Sequence, residues 1–161
     1  MPELPEVETT VRALSVILNQ KIIKVKIHTK KLRFNIPHNI KNILINSKIS
    51  NIRRIAKYII IDLNKKYSLI IHLGMSGRLK NISYKHHLNK HDHFIIYLNN
   101  QNILIYNDPR KFGFIDVVKT KDLNKKKYIN NLGIDALSPK LEKQFVFCLL
   151  YTSPSPRDRS I

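Results

Sequence analysis

Residues 58–77 have the sequence YIIIDLNKKYSLIIHLGMSG, and this stretch decides the class of fold. The isoleucine run at 59–61 predicts a buried strand, and the apolar residues of 67–73 predict a second one. The polar residues 64–66 form the turn between them, so we interpret the pair as a β-hairpin. The hairpin places β-structure at the centre of the predicted fold.

The hairpin is followed by a turn that contains two glycines. Gly74 and Gly77 lie three positions apart and indicate a tight, irregular turn. Such a turn pushes Met75 outward, where an apolar side chain can act as a wedge between nucleic-acid bases. A methionine tucked under its own loop is the ordinary alternative.

Further strands and one helix are predicted on either side of the hairpin. Val7, Val11, Leu14 and Leu18 are spaced as one face of a helix over residues 6–19. The other predictions, in chain order, are a half-buried strand at 21–28, loops with one short strand at 29–48, a polar loop at 80–90, strands at 94–98, 103–106 and 114–118, and one or two helical turns at 128–132 that end at Gly133.

The chain is strongly basic. Its 161 residues include 29 Lys and Arg against 11 Asp and Glu, a formal net charge of +18. The basic residues run through the whole length, so we expect a polyanionic partner, first of all nucleic acid. A membrane is the rival partner, but no apolar run reaches the ~18 residues of a spanning helix. The acidic, proline-containing start is also unlike a signal peptide.

The number and spacing of the cysteines and histidines limit the metal sites that this sequence can form. The only cysteine is Cys148, so the chain contains neither an intrachain disulfide nor a cysteine-based zinc finger, and a reducing setting fits. Five histidines between residues 72 and 93 invite a metal site, but their spacing matches no standard zinc pattern. His91, which follows Lys90, suits contact with a phosphate equally well.

The first eight residues, MPELPEVE, contain a candidate nucleophile. Removal of Met1 leaves Pro2 with a free secondary amine, which can attack an electrophilic carbon and form an iminium without a cofactor. Glu3 and Glu6 follow at once and could supply acid–base chemistry. The positive end of the helix dipole disfavours an ammonium on Pro2 and helps to keep part of the amine neutral. Acidic residues and prolines also begin many ordinary helices, and on these eight residues alone that interpretation is the better one.

Two other segments are candidates for function. Asp108-Pro109 predicts a turn that displays Arg110 and Phe112 on one side of an extended segment. An arginine and an aromatic ring displayed together suit base recognition with stacking or intercalation. A cation–π pair that covers a sheet edge explains those two residues about as well. Lys57, at the entrance to the first hairpin strand, is a surface lysine on the ordinary interpretation, and its position adds little by itself.

Together these motifs resemble the bacterial formamidopyrimidine-DNA glycosylases, of the family shared with endonuclease VIII. The motifs are MPELPEVET at 1–9, AKY at 56–58, HLGMSG at 72–77, KHDH at 90–93, DPRKFG at 108–113, LG at 132–133 and LS at 137–138. Each is weak alone, but they occur in the family's order and spacing. The N-terminal motif, with HLGMSG and DPRKFG, is closer to the formamidopyrimidine branch than to endonuclease VIII.

The resemblance implies a bifunctional DNA glycosylase and abasic-site lyase of base excision repair. Such an enzyme excises oxidised purines, including 8-oxoguanine and formamidopyrimidines, and nicks the strand by β,δ-elimination. Pro2 would form a Schiff base with the sugar, Glu3 would donate a proton to it, and Glu6 would support the site. Lys57 would donate the proton for β-elimination and touch a phosphate. The implied DNA contacts are His91, Arg110 and Lys111, with Met75, Arg110 and Phe112 filling the gap left by the flipped nucleotide.

The resemblance also implies an α+β fold that is mainly β. We expect a two-layer β-sandwich with an N-terminal helix and short flanking helices over residues 1–138. Residues 139–161 depart from the family pattern, and we expect a divergent or foreign tail that is partly helical and then disordered. The family's helix–two-turns–helix unit and four-cysteine zinc finger have no counterpart in this sequence. No cofactor is therefore expected in the chain, and zinc belongs only to that finger.

The implied partner is double-stranded DNA with oxidised bases or abasic sites, bound by a monomer in the bacterial cytosol or nucleoid. A second hypothesis is a truncated, non-catalytic chain that binds DNA through its basic surface and through the loops that display Met75, Arg110 and Phe112. Blocking Pro2 separates the two: the first predicts a covalent adduct with damaged DNA that requires a free Pro2, and the second predicts salt-sensitive binding that is indifferent to the block. A basic structural protein of a ribonucleoprotein would explain the charge. It would not explain the PELPEVE start or the glycines beside Met75 and Phe112.

Overall fold

The architecture is a sandwich of two antiparallel sheets. A computed structural model of the chain describes residues 4–85 and 87–132. The strands are β1 (Ile22–Ile27), β2 (Ile49–Ile55), β3 (Tyr58–Leu63), β4 (Tyr67–His72), β5 (Arg78–Ser83), β6 (Asp92–Leu98), β7 (Asn102–Asn107) and β8 (Phe114–Lys119). One sheet has the strand order β1-β6-β7-β5 and the other has the order β2-β3-β4-β8. The mainly β, two-layer fold is therefore confirmed.

The main core lies between the sheets, and both sheets contribute isoleucines to it. Ile59 and Ile61 of β3 and Ile96 of β6 are each at most 1% exposed and belong to one apolar cluster. Successive residues of a strand point to opposite faces, yet Ile60, between two core residues, is also fully buried. A strand covered on both faces is expected to be a continuous apolar run rather than an alternating one, which explains the isoleucine run.

The connection between β5 and β6 crosses the sheet. β5 and β6 lie on either side of β7, and each is antiparallel to it. β5 and β6 therefore run parallel to each other, so their connection must cross β7 and return to the end of the sheet at which both strands begin. Tyr84 of this connection packs on Tyr97 of β6 with 5.0 Å between ring centroids. Tyr97 belongs to a second, smaller apolar cluster on this sheet. The crossover brings the chain back to the end of the sheet where β6 begins.

The predicted N-terminal helix is present, but its last turn is a 3₁₀ helix instead of an α-helix. α1 (Leu4–Ala13) continues into a 3₁₀ helix at Leu14–Ile17. The first three residues of the predicted apolar face are buried, but the fourth buried residue is Ile17, and Leu18 is only partly buried. A 3₁₀ helix repeats every three residues, so the buried face moves from Leu14 to Ile17.

Two segments differ from the prediction. Residues 29–48 contain no strand beyond isolated bridges; instead α2 (Ile40–Leu44) buries its first and last residues, which share one helical face. The predicted polar loop at 80–90 begins inside β5, an edge strand that pairs with β7. An edge strand is half exposed and tolerates polar residues. The polar composition of β5 is also typical of a loop, so the sequence did not predict a strand here.

The remaining predictions are largely confirmed. The strands expected at 21–28, 59–61, 67–73, 94–98, 103–106 and 114–118 are present, and β2 is additional. The helical turns expected near 128–132 appear as α3 (Lys127–Asn130), preceded by a 3₁₀ helix at Thr120–Lys125. The predicted stop at Gly133 and the tail 139–161 lie outside the described residues.

Candidate active site and nucleic-acid interface

The two glycine-containing loops meet at one end of a sheet. β4 ends at His72 and β8 begins at Phe114, and these residues are paired across the two strands. The turn after β4 and the loop before β8 therefore lie side by side. Gly74 has φ +62°, and a Cβ there would lie 2.4 Å from the backbone nitrogen of Gly113. The close contact between the loops therefore requires glycine at position 74.

A buried carboxylate, Asp108, joins the loops. It accepts hydrogen bonds from Ser76 Oγ at 2.6 Å, the Gly113 N–H at 3.0 Å and Tyr106 Oη at 2.7 Å. Burial works against the charged form, but these hydrogen bonds outweigh it, so the pKa of Asp108 lies below its ordinary value. The Asp108 carbonyl lies 2.7 Å from the buried ring nitrogen Nε2 of His93. One charged, well-partnered residue thus fixes both loops.

Three side chains project from the joined loops. Met75 is 46% exposed and Phe112 is 48% exposed, and Arg110 is exposed beside them. The Arg110 guanidinium carbon lies 5.4 Å from the centre of the Phe112 ring. The outward position of Met75 and the proximity of Arg110 and Phe112 are confirmed, and so is the cation–π pair. The predicted extended segment is wrong: residues 109–110 form a turn and Lys111 has φ +58°, so the turn and not strand alternation brings the two side chains together. We call these three residues the wedge; their contact with bases stays a prediction.

A hollow of about 420 Å³ beside the wedge includes a cation that the sequence analysis missed. Its lining residues are Arg33, His72, Gly74, Met75 and Phe112. The Arg33 N–H donates to the Gly113 carbonyl at 3.1 Å, which anchors the backbone of this exposed arginine to the loop. Arg33 lies in the segment 29–48, predicted as loops with one short strand, and no sequence motif pointed to it.

His72 is a nearly buried histidine behind the wedge. Its ring is stacked on Phe114 with 5.4 Å between centroids, and its Nδ1 accepts the Gly74 N–H at 3.0 Å. Burial, followed by the charges of Arg33 and Lys57, lowers the pKa of His72. The neutral ring, with its proton on Nε2, is therefore the favoured form.

Lys57 lies in the two-residue turn between β2 and β3. Arg54, whose side chain is 5% exposed, donates from Nε to Glu8 Oε2 at 2.5 Å and from Nη1 to the Ala56 carbonyl at 2.9 Å. One arginine thus ties α1 to the turn that carries Lys57. Residues 8 and 54 are 46 positions apart, so no local pattern marked them as a pair.

A cleft of about 920 Å³ brings Glu6 beside the wedge. Glu6 and Thr10 of α1 line it together with Met75, Ser76 and Arg78. Glu6 is exposed on α1, so its carboxylate is accessible to a ligand in the cleft. Pro2 and Glu3 lie outside the described residues, and their roles stay predictions.

His91 and Lys111 are held beside the same loop through their backbones. The His91 carbonyl accepts the Asp108 N–H at 3.1 Å, and the Lys111 N–H donates to the Asp108 carbonyl at 3.3 Å. Asp92, which is 2% exposed, accepts from Asn107 Nδ2 at 2.8 Å and fixes the residue after His91. Buried aspartates thus hold the backbone under these two side chains.

The charges at this end of the molecule favour an anionic ligand. Its cations are exposed or half-exposed and outnumber the exposed carboxylate of Glu6, whereas Asp92 and Asp108 are buried and hydrogen-bonded; the cations are Arg33, Lys57, Arg78, Arg110 and Lys111. Across residues 4–85 and 87–132, no group of three or more His, Cys, Asp or Glu is placed to hold a metal ion. Among the same residues, no helix has the length and apolarity needed to cross a membrane.

Sequence comparison places these features in a known group. Residues 1–115 match the sequence model of the formamidopyrimidine-DNA glycosylase N-terminal domain. The formamidopyrimidine-DNA glycosylase of Zymomonas mobilis is 43% identical over 157 residues, which is 97% of this chain and 57% of that protein. The protein of the same name from Rickettsia canadensis is 44% identical over 153 residues, 94% of this chain and 56% of its own length.

Solved structures show the same fold. The complex of Lactococcus lactis Fpg with DNA containing an abasic site has a TM-score of 0.72 and 32% identity, and the match covers 77% of this chain and 46% of that one. The complex of the same protein with DNA containing FAPY-dG has a TM-score of 0.71 and 33% identity, covering 76% of this chain and 46% of that one.

Proposed function

Because the chain belongs to the formamidopyrimidine-DNA glycosylase family, we propose that it supplies the catalytic and DNA-binding N-terminal part of a bifunctional repair glycosylase. The substrate is double-stranded DNA that contains oxidised purines or abasic sites. The reactions are excision of the base and cleavage of the strand. The chain spans about half the length of the curated relatives that it matches, so the proposal concerns the steps that its own residues can perform.

The proposed reaction begins at Pro2. Its amine attacks C1′ of the damaged nucleotide, the bond from C1′ to the base breaks, and the leaving base takes up the proton that the amine loses. Glu3 donates the proton that opens the sugar ring, and the resulting iminium acidifies the C2′ proton. Loss of that proton expels the 3′ phosphate with Lys57 as the proton donor, and a second elimination expels the 5′ phosphate. Glu6 supports the site from α1.

The observation that carries the proposal is the pair of loops joined by Asp108. They hold Met75, Arg110 and Phe112 on one exposed edge, next to the cleft that Glu6 lines. A nucleotide must leave the stack before an N-terminal amine can reach C1′, and extrusion costs a few kcal/mol of stacking and pairing. Apolar and aromatic side chains that fill the gap offset that cost. The rigid joint keeps the wedge in place before DNA arrives.

The position of Lys57 supports its proposed role. The Arg54 bridge ties the turn of Lys57 to α1, the helix that follows Pro2 and Glu3 in sequence. A lysine in a two-residue turn has a short, fixed backbone anchor, so its ammonium can be aimed at one phosphate. We further propose that the protein acts as a monomer in the bacterial cytosol or nucleoid.

A non-catalytic DNA-binding chain is the second candidate. The observation in its favour is the exposed wedge with cations such as Arg33, Arg78 and Lys111 around it. The wedge and the surrounding cations would suffice for binding without chemistry.

Borohydride trapping tests the proposal. The chain is incubated with a duplex that contains one abasic site, reduced, and examined for a covalent complex on a denaturing gel. Mass spectrometry first verifies that Met1 is absent. Pro2→Gly and a form extended at the N-terminus serve as matched controls.

We expect a trapped band that disappears in the extended form, because extension converts the amine into an amide. No band from the parent chain, together with retained salt-sensitive DNA binding, would favour the non-catalytic candidate and contradict the proposed chemistry.

A further inference from the structure

A second basic site lies at the opposite end of the sheet that carries the wedge loops. Tyr67, the first residue of β4, pairs with Lys119, the last residue of β8. The wedge loops begin where His72 pairs with Phe114, five residues further along. At about 3.4 Å per residue the two ends are roughly 17 Å apart, so one phosphate cannot contact both.

Four lysines line a hollow of about 630 Å³ at this end. The lining residues are Lys65, Lys66, Tyr67, Lys119, Thr120 and Lys121. Within the described part of the chain, no ion pair joins any of the four lysines to a carboxylate. Neighbouring carboxylates have other partners, since Asp62 pairs with Arg53 and Asp122 pairs with Lys125. The positive charge of the hollow is therefore uncompensated.

The backbone around the hollow is held in place. The Thr120 N–H donates to the Lys66 carbonyl at 2.9 Å, and the hydroxyls of Thr120 and Ser68 lie 2.9 Å apart. Lys65 Nζ donates to the Ile45 carbonyl at 3.1 Å, which leaves the other three lysines as the accessible cations. Fixed backbone positions with flexible lysine side chains make an adaptable cationic surface.

We propose that this hollow, which we name the distal lysine site, binds the phosphate backbone of a second DNA segment. Ammonium groups on flexible stems act as point charges and suit a row of phosphates rather than one anion of fixed shape. Residues Lys66, Lys119 and Lys121 supply those charges. The protein then holds two DNA segments at once, one at the wedge and one at the distal lysine site, and can pass between segments while it searches for damage.

The choice of DNA rests on the proposed function, which already brings DNA to the protein at high local concentration. An acidic protein surface is the other polyanion that these three lysines could bind. It offers carboxylates on irregular side chains rather than the even row of charges of a nucleic-acid backbone, so we favour DNA.

Energy transfer between two duplexes tests the inference. The 161-residue chain is mixed with two undamaged duplexes of about 15 base pairs, each roughly 50 Å long. One carries a donor dye and the other an acceptor, so transfer requires one protein to hold both. The test variant is Lys66→Gln/Lys119→Gln/Lys121→Gln.

The matched control is Lys24→Gln/Lys26→Gln/Lys85→Gln, which removes the same charge from the other sheet. Lys24 and Lys26 lie over the ring of Tyr97, and Lys85 is exposed just after β5. A Lys→Arg triple at the distal lysine site keeps the charge and tests whether charge alone is needed.

We expect transfer from the parent, the control and the Lys→Arg triple, and at least about tenfold weaker binding of the second duplex by the test variant. For the second duplex, the logarithm of the binding constant should depend less steeply on the logarithm of salt concentration. The slope should be shallower by about 2.7 for the three lost lysines, because each phosphate contact contributes ~0.9. Equal transfer from the test variant and its control would overturn the inference. Absent transfer from the parent, with poly-glutamate bound at this site, would overturn it in favour of an acidic protein.

The two proposals fail separately. The transfer experiment uses undamaged DNA and does not involve Pro2, so a chain that bridges duplexes but gives no borohydride adduct contradicts only the proposed chemistry. A chain that is trapped on abasic DNA but does not bridge duplexes contradicts only the distal lysine site.

Discussion

Gly113 is the residue on which the two wedge loops close. Its N–H donates to Asp108, its carbonyl accepts from Arg33, and a Cβ would lie 1.9 Å from Tyr106 Oη and 2.2 Å from the His72 carbonyl. The backbone carbonyl cannot move without shifting β4. The loop itself must therefore give way to any side chain at this position.

Gly113→Ala should lower the free energy of unfolding by about 1–3 kcal/mol, the usual cost of an overpacked site. It should also weaken binding to lesion-containing duplex, because the wedge loop moves with residue 113. Urea unfolding and fluorescence anisotropy measure the two effects. The exposed neighbour provides the control, since Lys111→Ala should change stability by no more than about 0.5 kcal/mol. Equal stability of the two variants would show that the loops are not in close contact.

His72 makes stability fall as the pH drops below the ordinary histidine pKa of about 6.5. Burial, assisted by Arg33 and Lys57, lowers the pKa of His72 in the folded state, whereas an unfolded histidine titrates near 6.5. The unfolded state therefore binds more protons below about pH 6.5, and stability falls as the pH drops. The stabilising contribution is complete above the unfolded pKa and is lost toward the lower folded pKa.

His72→Gln should flatten the fall in unfolding free energy between pH 7 and pH 5, which for one proton is at most about 1.4 kcal/mol per pH unit. Urea titrations at several pH values measure the slope. The control is His38→Gln, because His38 is exposed. A slope that is unchanged in His72→Gln would show that another group carries the pH dependence.

At the scale of elements, Arg54 is the link between α1 and the β2–β3 hairpin. Its guanidinium is almost fully buried and bridges Glu8 and the Ala56 carbonyl. Removing one partner of a buried pair leaves a charge without compensation, which is more costly than losing a surface pair. Glu8 keeps some access to solvent, which limits that cost.

Arg54→Met should lower the free energy of unfolding by about 1–3 kcal/mol and reduce borohydride trapping, since the side-chain bridge between α1 and the turn of Lys57 is lost. The adjacent Arg53→Met breaks a more exposed pair with Asp62 and should cost about 0–1 kcal/mol. Urea unfolding compares the two variants. Trapping that is lost equally in both would argue against a specific role for the Arg54 bridge.

Elements with a clear apolar run were predictable, and those without one were not. The isoleucine run of β3 marked its strand because a strand covered on both faces needs apolar residues throughout. α2 has only two buried residues in five, too few to produce a helical period. β5 is a sheet edge whose polar residues are compatible with a loop. Short and peripheral elements depend on what packs against them.

For the whole molecule, the net charge of +18 should dominate binding to undamaged DNA. If about six phosphates are contacted, the logarithm of the binding constant should fall with a slope of about −5 against the logarithm of salt concentration. Anisotropy titrations of one duplex between low and physiological salt measure that slope. A slope of about −2 or shallower would show that most of the charge does not face DNA.

The sequence by itself determined the mainly β fold, the basic character and the positions of Met75, Arg110 and Phe112 as displayed residues. These properties follow from local patterns: apolar runs, turn residues and the sum of charges. Only the tertiary structure decided that Asp108 joins two loops, that Arg54 ties α1 to the turn of Lys57, and that Arg33 stands beside the wedge. Each of those contacts joins residues far apart in the chain, and hydrogen bonds between distant segments leave no periodic signal in the sequence.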